Sequence, residues 1–306
     1  MKRLLGRLLQ NVRQADKDPS LKRPLHLPVD IAEPSGIFIY SGPGEADVWP
    51  ALYLSCSLQR AYRNVDLTVV CRIEDSALFS MLDWKPGILT YEGKPTIPPM
   101  QPDEPPGPGT LLFHPYLKLD SDAAALIRSS GAGIRISPAA NRSPDLNISV
   151  RTGADNYPAV LHRMCTALGI PPDTDWVPVI PRQVQEKVAD FMAPVSGRTL
   201  PYIAMTQRTI SILEKHRAEI PLRTVAIAGK NAEIQNIDRE MRTAITAGAS
   251  AVITDDPGLW ADARALGVPT VGLDTSGAFI PWSGDLPTTS EHDMIESWAQ
   301  LLRRGW

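Results

Sequence analysis

Apolar positions along this chain fall into two alternating kinds of run. Short continuous stretches, GIFIY at Gly36–Tyr40, DLTVVCR at 66–72, GTLLFHP at 109–115 and AGIRIS at 132–137, predict buried strands. Four more follow: LPYIAMT at 200–206, RTVAIAG at 223–229, SAVITD at 250–255 and VPTVGLD at 268–274. Between them the apolar spacing shifts to the helical period, predicting helices over 48–62, 121–131, 156–169, 208–219, 231–247, 258–267 and 291–303. Alternation of this kind is the pattern of parallel α/β sheets. The stretch 171–198 is transitional, with one helical segment, QVQEKVADFM. Two parallel-sheet units joined near 170–200 are the expected architecture.

Punctuation residues support these boundaries. Pro50 fits the first turn of its helix, where its missing amide has no intrahelical acceptor. Gly131 and Gly169 close two helices, and Ser290 with Asp293 forms a shortened capping box before the last. The proline-dense stretch 93–109 predicts an irregular excursion. The expected division is a basic arm at 1–25, an α/β domain at 26–175 and a shorter α/β domain at 176–306.

Charge changes the picture at the start of the chain. The whole carries −3, yet residues 1–25 hold seven Lys/Arg against two Asp and so carry +5. Leu4, Leu5, Leu8, Leu9 and Val12 fall at helical spacing within this basic arm. Residues 1–13 therefore suit either an anionic membrane surface or a protein partner. The overall balance speaks against nucleic acid as a partner. No stretch approaches the roughly 18 apolar residues of a spanning helix, and Arg7 and Arg13 interrupt any signal-peptide pattern. Cys56, Cys71 and Cys165 form no CxxC pair and read as packing residues of a reducing compartment. The expected location is cytoplasmic, at most peripheral to the membrane's inner face.

Three loops carry candidate chemistry. In SGPGEADVWP, residues 41–50, Gly42 and Gly44 would let backbone approach a ligand, while Glu45 and Asp47 are candidate general bases. The competing explanation is a tight turn whose acids cap the following helix. In TDDPGLW, residues 254–260, the amides of Gly258, Leu259 and Trp260 open a helix and could face a diphosphate. Asp255 and Asp256 would then turn to a sugar hydroxyl, a metal or those same amides, although two adjacent acids do not make a metal site by themselves. After the strand at 223–229, Gly229 and Lys230 are phosphate candidates, as is Arg208. His114 follows a strand at the expected cleft end, and Arg142 is placed to read an anionic acceptor. No HExxH, GxSxG or Cys/His cluster occurs, so no metal ligands are assigned.

The segments 42–72, with Pro50-Ala51-Leu52 in its helix, 132–170 and 251–274 together resemble the heptosyltransferase family of GT-B glycosyltransferases. The resemblance implies two Rossmann-like domains facing across a cleft and metal-independent transfer from a nucleotide sugar to a hydroxyl acceptor. Carried over, the catalytic aspartate falls at Glu45 or Asp47, with Asp47 the narrow choice because it directly precedes the helix. Asp256 and Gly258 match the donor signature, but Pro257 replaces its Thr or Ser and Ala261 its histidine. About 27 residues separate Gly229 from Asp256, where the family fits a further strand–helix unit, so the donor domain is abbreviated. These departures keep open a second expectation, a catalytically inactive relative used for binding or scaffolding.

Overall fold

The computed structural model describes residues 31, 33–92, 109–116, 121–138, 143, 145–151, 156–173, 178–196, 201–227, 237–277, 279, 282 and 286–304. These divide into two compact units. The first draws on Met1–Pro43, Pro50–Ser76 and Trp84–Trp176, the second on Gly44–Trp49, Ala77–Asp83 and Val177–Trp306. The second unit therefore includes two short segments from early in the chain.

In the first unit, strands β1 (Gly36–Tyr40), β2 (Leu67–Arg72), β3 (Gly87–Tyr91), β4 (Thr110–Phe113), β5 (Ile134–Pro138) and β6 (Ile148–Val150) form one sheet. Their order is β3-β2-β1-β4-β5-β6, with every pairing parallel. All residues of β4 and β5 are buried, as expected of strands covered on both faces. Helices α1 (Val48–Ala61), α2 (Ser121–Ser129) and α3 (Tyr157–Ala167) accompany the strands. The chain direction along the sheet reverses between β1 and β4, so the loops at 41–43 and 114–116 meet at its carboxyl edge.

The second unit carries a four-stranded parallel sheet of β7 (Tyr202–Met205), β8 (Arg223–Ala226), β9 (Ala251–Thr254) and β10 (Thr270–Gly272), ordered β10-β9-β7-β8. Helices α4 (Arg182–Ser196), α5 (Gln207–Lys215), α6 (Arg239–Gly248), α7 (Pro257–Ala265) and α8 (Glu291–Arg304) complete it. Alternate strand residues feed two apolar layers. Ala204 and Val252 join Val225, Ile245 and Leu259 on one side, whereas Ile203 and Ile253 join Leu213, Met294 and Trp298 on the other. Here the order reverses between β7 and β9, which brings Thr206 and Asp255 together.

Two details differ from expectation and a third fits it. Strands β3 and β6 were not expected. Helix α6 begins at Arg239 rather than 231, because extended Asp238 caps it, its carboxylate accepting from the Met241 amide at 2.7 Å; residues 228–236 of the expected strand end and helix start lie outside the described residues. At α8, Ser290 Oγ accepts from the Asp293 amide (3.1 Å) and donates to its carboxylate (2.7 Å), so the hydroxyl replaces the backbone donor of a full capping box. The three cysteines are buried and unbridged, and burial pushes the Cys71 and Cys165 thiols up to about 12. Among the described residues no helix is long and apolar enough to cross a membrane, and the arm at 1–25 lies outside them.

Candidate functional site

In the second unit, the turn Glu45–Asp47 packs against the start of α7. Gly44, extended rather than left-handed, precedes a single 3-10 turn whose Asp47 carboxylate accepts from the Gly44 amide at 2.7 Å. A Cβ at position 44 would lie 2.9 Å from that carboxylate. The glycine thus makes room for Asp47, a local role rather than an approach for ligand.

Glu45 points the other way, into a group of charges. Its Oε2 accepts from Arg242 Nη2 at 2.6 Å and from Arg239 Nη1 at 3.1 Å, while its carbonyl accepts from Arg239 Nη2 at 2.9 Å. Both arginines also reach Asp262: Arg239 Nη2 lies 2.5 Å from Oδ1 and Arg242 Nε 3.4 Å from Oδ2. Trp49 Nε1 donates to Asp262 Oδ1 as well, at 2.9 Å. The Asp262 side chain is fully buried, and those of Arg239 and Arg242 are only 5% and 14% exposed, against 45% for Glu45. Burial pushes the Asp262 carboxyl up to about 6, opposed by Arg242 and the Trp49 hydrogen bond. Burial also raises Asp256, with the Leu259 amide and Arg242 pulling it down.

Helix α7 opens at this group. Asp256 is its N-cap: Oδ1 accepts from the Leu259 amide at 2.7 Å, and its carbonyl accepts from the Trp260 amide at 3.0 Å. Two of the three amides expected to face a diphosphate are therefore engaged by Asp256. At Gly258 a Cβ would collide with the Glu45 carboxylate and lie 2.9 Å from Arg242 Nη2. Glycine is required there by this close approach. Leu259 and Trp260 are core residues; the Trp260 ring packs on Phe279 with centroids 5.3 Å apart. Beside the helix, Asp255 accepts from Thr206 Oγ1 at 2.5 Å and pairs with exposed Arg208 at 3.4 Å.

The other candidates lie in the first unit or outside the described residues. The Gly42 carbonyl accepts from the Tyr91 hydroxyl at 3.1 Å. His114 is buried, stacked on Tyr40 at 5.8 Å and edge-on to Tyr116 at 5.2 Å, with Nδ1 3.3 Å from Ser137 Oγ. Arg142, Gly229 and Lys230 lie outside the described residues. The structure thus brings Glu45, Asp256 and Gly258 into one group, Arg208 and Asp255 into another, and Gly42 and His114 to the carboxyl edge of the first sheet. Arg239, Arg242, Asp262 and Trp49 were missed by sequence reasoning. With the helix expected from 231, both arginines fall in its interior, and no local signal marks them out; only the observed start at Arg239 puts them where the helix dipole calls for acidic partners. Among the described residues no group of three or more His, Cys, Asp or Glu could hold a metal ion.

No family model matches the sequence, and no curated protein matches it. Solved structures do. The glycosyl transferase family 9 protein from Veillonella parvula aligns at TM-score 0.63 and 14% identity, covering 90% of this chain and 99% of that one. E. coli heptosyltransferase WaaC with ADP-2-deoxy-2-fluoro heptose aligns at 0.55 and 12%, covering 88% and 99%. E. coli ADP-heptose lps heptosyltransferase II aligns at 0.55 and 14%, with the same coverage. At such identities the likeness is one of fold: two Rossmann-like α/β domains with parallel sheets, the GT-B-like class.

Proposed function

We propose that this chain is a glycosyltransferase of the heptosyltransferase type, moving a sugar from a nucleotide sugar to a hydroxyl acceptor. The observation that carries this reading is the buried arginine pair Arg239 and Arg242, meeting a carboxylate over Gly258 at the start of α7. Cations and a helix start in one place suit a departing diphosphate. The GT-B-like fold supports the same class.

In the proposed reaction the acceptor oxygen attacks the anomeric carbon, whose bond to the diphosphate oxygen breaks. The hydroxyl proton passes to a carboxylate, and the nucleoside diphosphate leaves with the bonding pair. Asp47 is the better base of the two candidates, because Glu45 Oε2 already accepts from two guanidiniums. Gly42, His114 and Arg142 are assigned to the acceptor. The test is release of nucleoside diphosphate from a panel of ADP-, UDP- and GDP-sugars incubated with sugar acceptors. Turnover that falls about 100-fold or more in Asp47→Asn, with donor binding retained, is the expected result. Absence of both binding and release across the panel overturns the proposal.

A second reading, binding without transfer, is favoured by one observation: Asp256 already engages the Leu259 and Trp260 amides. Donor binding with no release in any combination would select it.

A further inference from the structure

We propose that Arg239 and Arg242 form an anion seat that the Glu45 carboxylate holds closed, and that a diphosphate-bearing ligand enters by displacing it. This rests on the nucleotide-sugar reading for the natural ligand, not for the seat itself.

The group has one movable member. Asp262 is fully buried and holds both guanidiniums in place, with Trp49 fixing its other contact. Glu45 is the exposed member, at the end of a three-residue turn. Its backbone and side chain are held separately. Arg239 Nη2 binds the Glu45 carbonyl, so the turn stays anchored when the side chain swings away. What then faces outward is two guanidiniums that have each lost an acceptor, beside the first turn of α7.

The position vacated matches an anion in chemistry. Glu45 Oε2 takes two charge-assisted hydrogen bonds and rests against Gly258, where the backbone admits no Cβ. A phosphate oxygen accepts from the same guanidinium nitrogens, and arginine's planar fork suits it. Charge explains why the two compete rather than coexist. Glu45, Asp256 and Asp262 already outnumber the two arginines, so a diphosphate added without displacement would raise a local excess of negative charge. The seat also accounts for arginines at positions 239 and 242, where the dipole of α6 disfavours them.

The experiment is calorimetric titration of inorganic pyrophosphate, ADP and UDP into the full chain, its Glu45→Gln variant and the Glu45→Gln/Arg242→Gln double variant at constant ionic strength. Glu45→Gln keeps the side-chain volume and removes the competing charge. Pyrophosphate is expected to bind it about tenfold more tightly than the unmodified chain, the worth of one charge-assisted hydrogen bond, and the double variant is expected to lose that gain. Thermal unfolding checks that each variant is folded. If Glu45→Gln is not, Glu45→Asp, one methylene shorter, shows the same direction with a smaller gain. Equal pyrophosphate affinity with and without Glu45, or no pyrophosphate binding by folded Glu45→Gln, overturns the inference. Pyrophosphate binding relieved by Glu45→Gln without any nucleotide binding leaves the seat standing and removes the nucleotide-sugar reading. Nucleotide binding and turnover indifferent to both substitutions does the reverse.

Discussion

The carboxyl edges of the two sheets share a topology and, among the described residues, differ in chemistry. Each sheet reverses its strand order, between β1 and β4 in one and between β7 and β9 in the other. Open parallel sheets offer ligand sites at such points. In the first unit the edge is lined by rings: Tyr40 stacks on His114, Tyr116 stands edge-on to both, and Tyr91 holds the Gly42 carbonyl. Among the described residues its polar groups next to the rings are hydroxyls and an imidazole, with the Arg72–Asp75 pair at the end of β2 beyond them. In the second unit the edge carries Thr206, Arg208 and Asp255, with the Glu45, Arg239, Arg242 and Asp262 group at the neighbouring start of α7. Topology therefore locates a site, and side chains decide what class of ligand it suits.

The largest expected effect comes from removing the charge on which the second edge is built. Asp262→Ala leaves Arg239 and Arg242 facing a buried void, with Glu45 still bound to both and Asp256 near Arg242. Breaking a buried pair from one side costs about 3–5 kcal/mol, because the surviving charges are uncompensated. Chemical denaturation followed by tryptophan fluorescence measures it, since Trp49, Trp260 and Trp298 are all buried. A loss below about 1 kcal/mol would mean that Glu45 and water can satisfy the arginines, and that the two edges differ less than their geometry suggests.

Packing provides a smaller effect in the same unit. Gly272 ends β10 against the Trp260 ring, where a Cβ would fall 2.5 Å from one ring carbon and 2.6 Å from another. Gly272→Ala must displace Trp260 and also Phe279, itself 2.9 Å from the same Cβ position. Overpacking of this kind costs about 1–3 kcal/mol. The expected signature is a lowered thermal midpoint with the near-ultraviolet tryptophan signal altered; an unchanged midpoint would show that the ring has room to shift.

Much of this was legible in the chain. The core strands β1, β4, β7 and β9 stand out because burial on both faces demands unbroken apolar runs. Strand β3 does not, since at an exposed edge GILTY leaves Ile88 40% exposed and need not be apolar throughout. Strand β6 is three residues long, too short for a periodic signal. The strand–Asp-Asp-Pro-Gly–helix segment announced the start of α7, and Asp256 caps it. Its partners were hidden by distance in sequence. Glu45 and Arg242 lie 197 residues apart, and nothing in either local pattern names the other. Arginines one turn apart on a helix look like an ordinary solvated face until the fold shows them buried.

The smallest expected effect tests the ring-lined edge. The Tyr91 hydroxyl, at the end of β3, donates to the carbonyls of Gly42 at 3.1 Å and Ser41 at 3.4 Å, tying an outer strand to the loop after β1. Tyr91→Phe keeps the ring, which lies 6.3 Å from that of Tyr40, and deletes this link. One hydrogen bond is worth about 1 kcal/mol net. The Gly42 carbonyl is then left buried, so the cost should sit at or slightly above that figure, read as a shift in urea midpoint with unchanged slope. Pyrophosphate affinity should not move, because no charge is altered. A change in anion binding from Tyr91→Phe would break the division between a ring-lined edge and an arginine-bearing one more directly than any loss of stability.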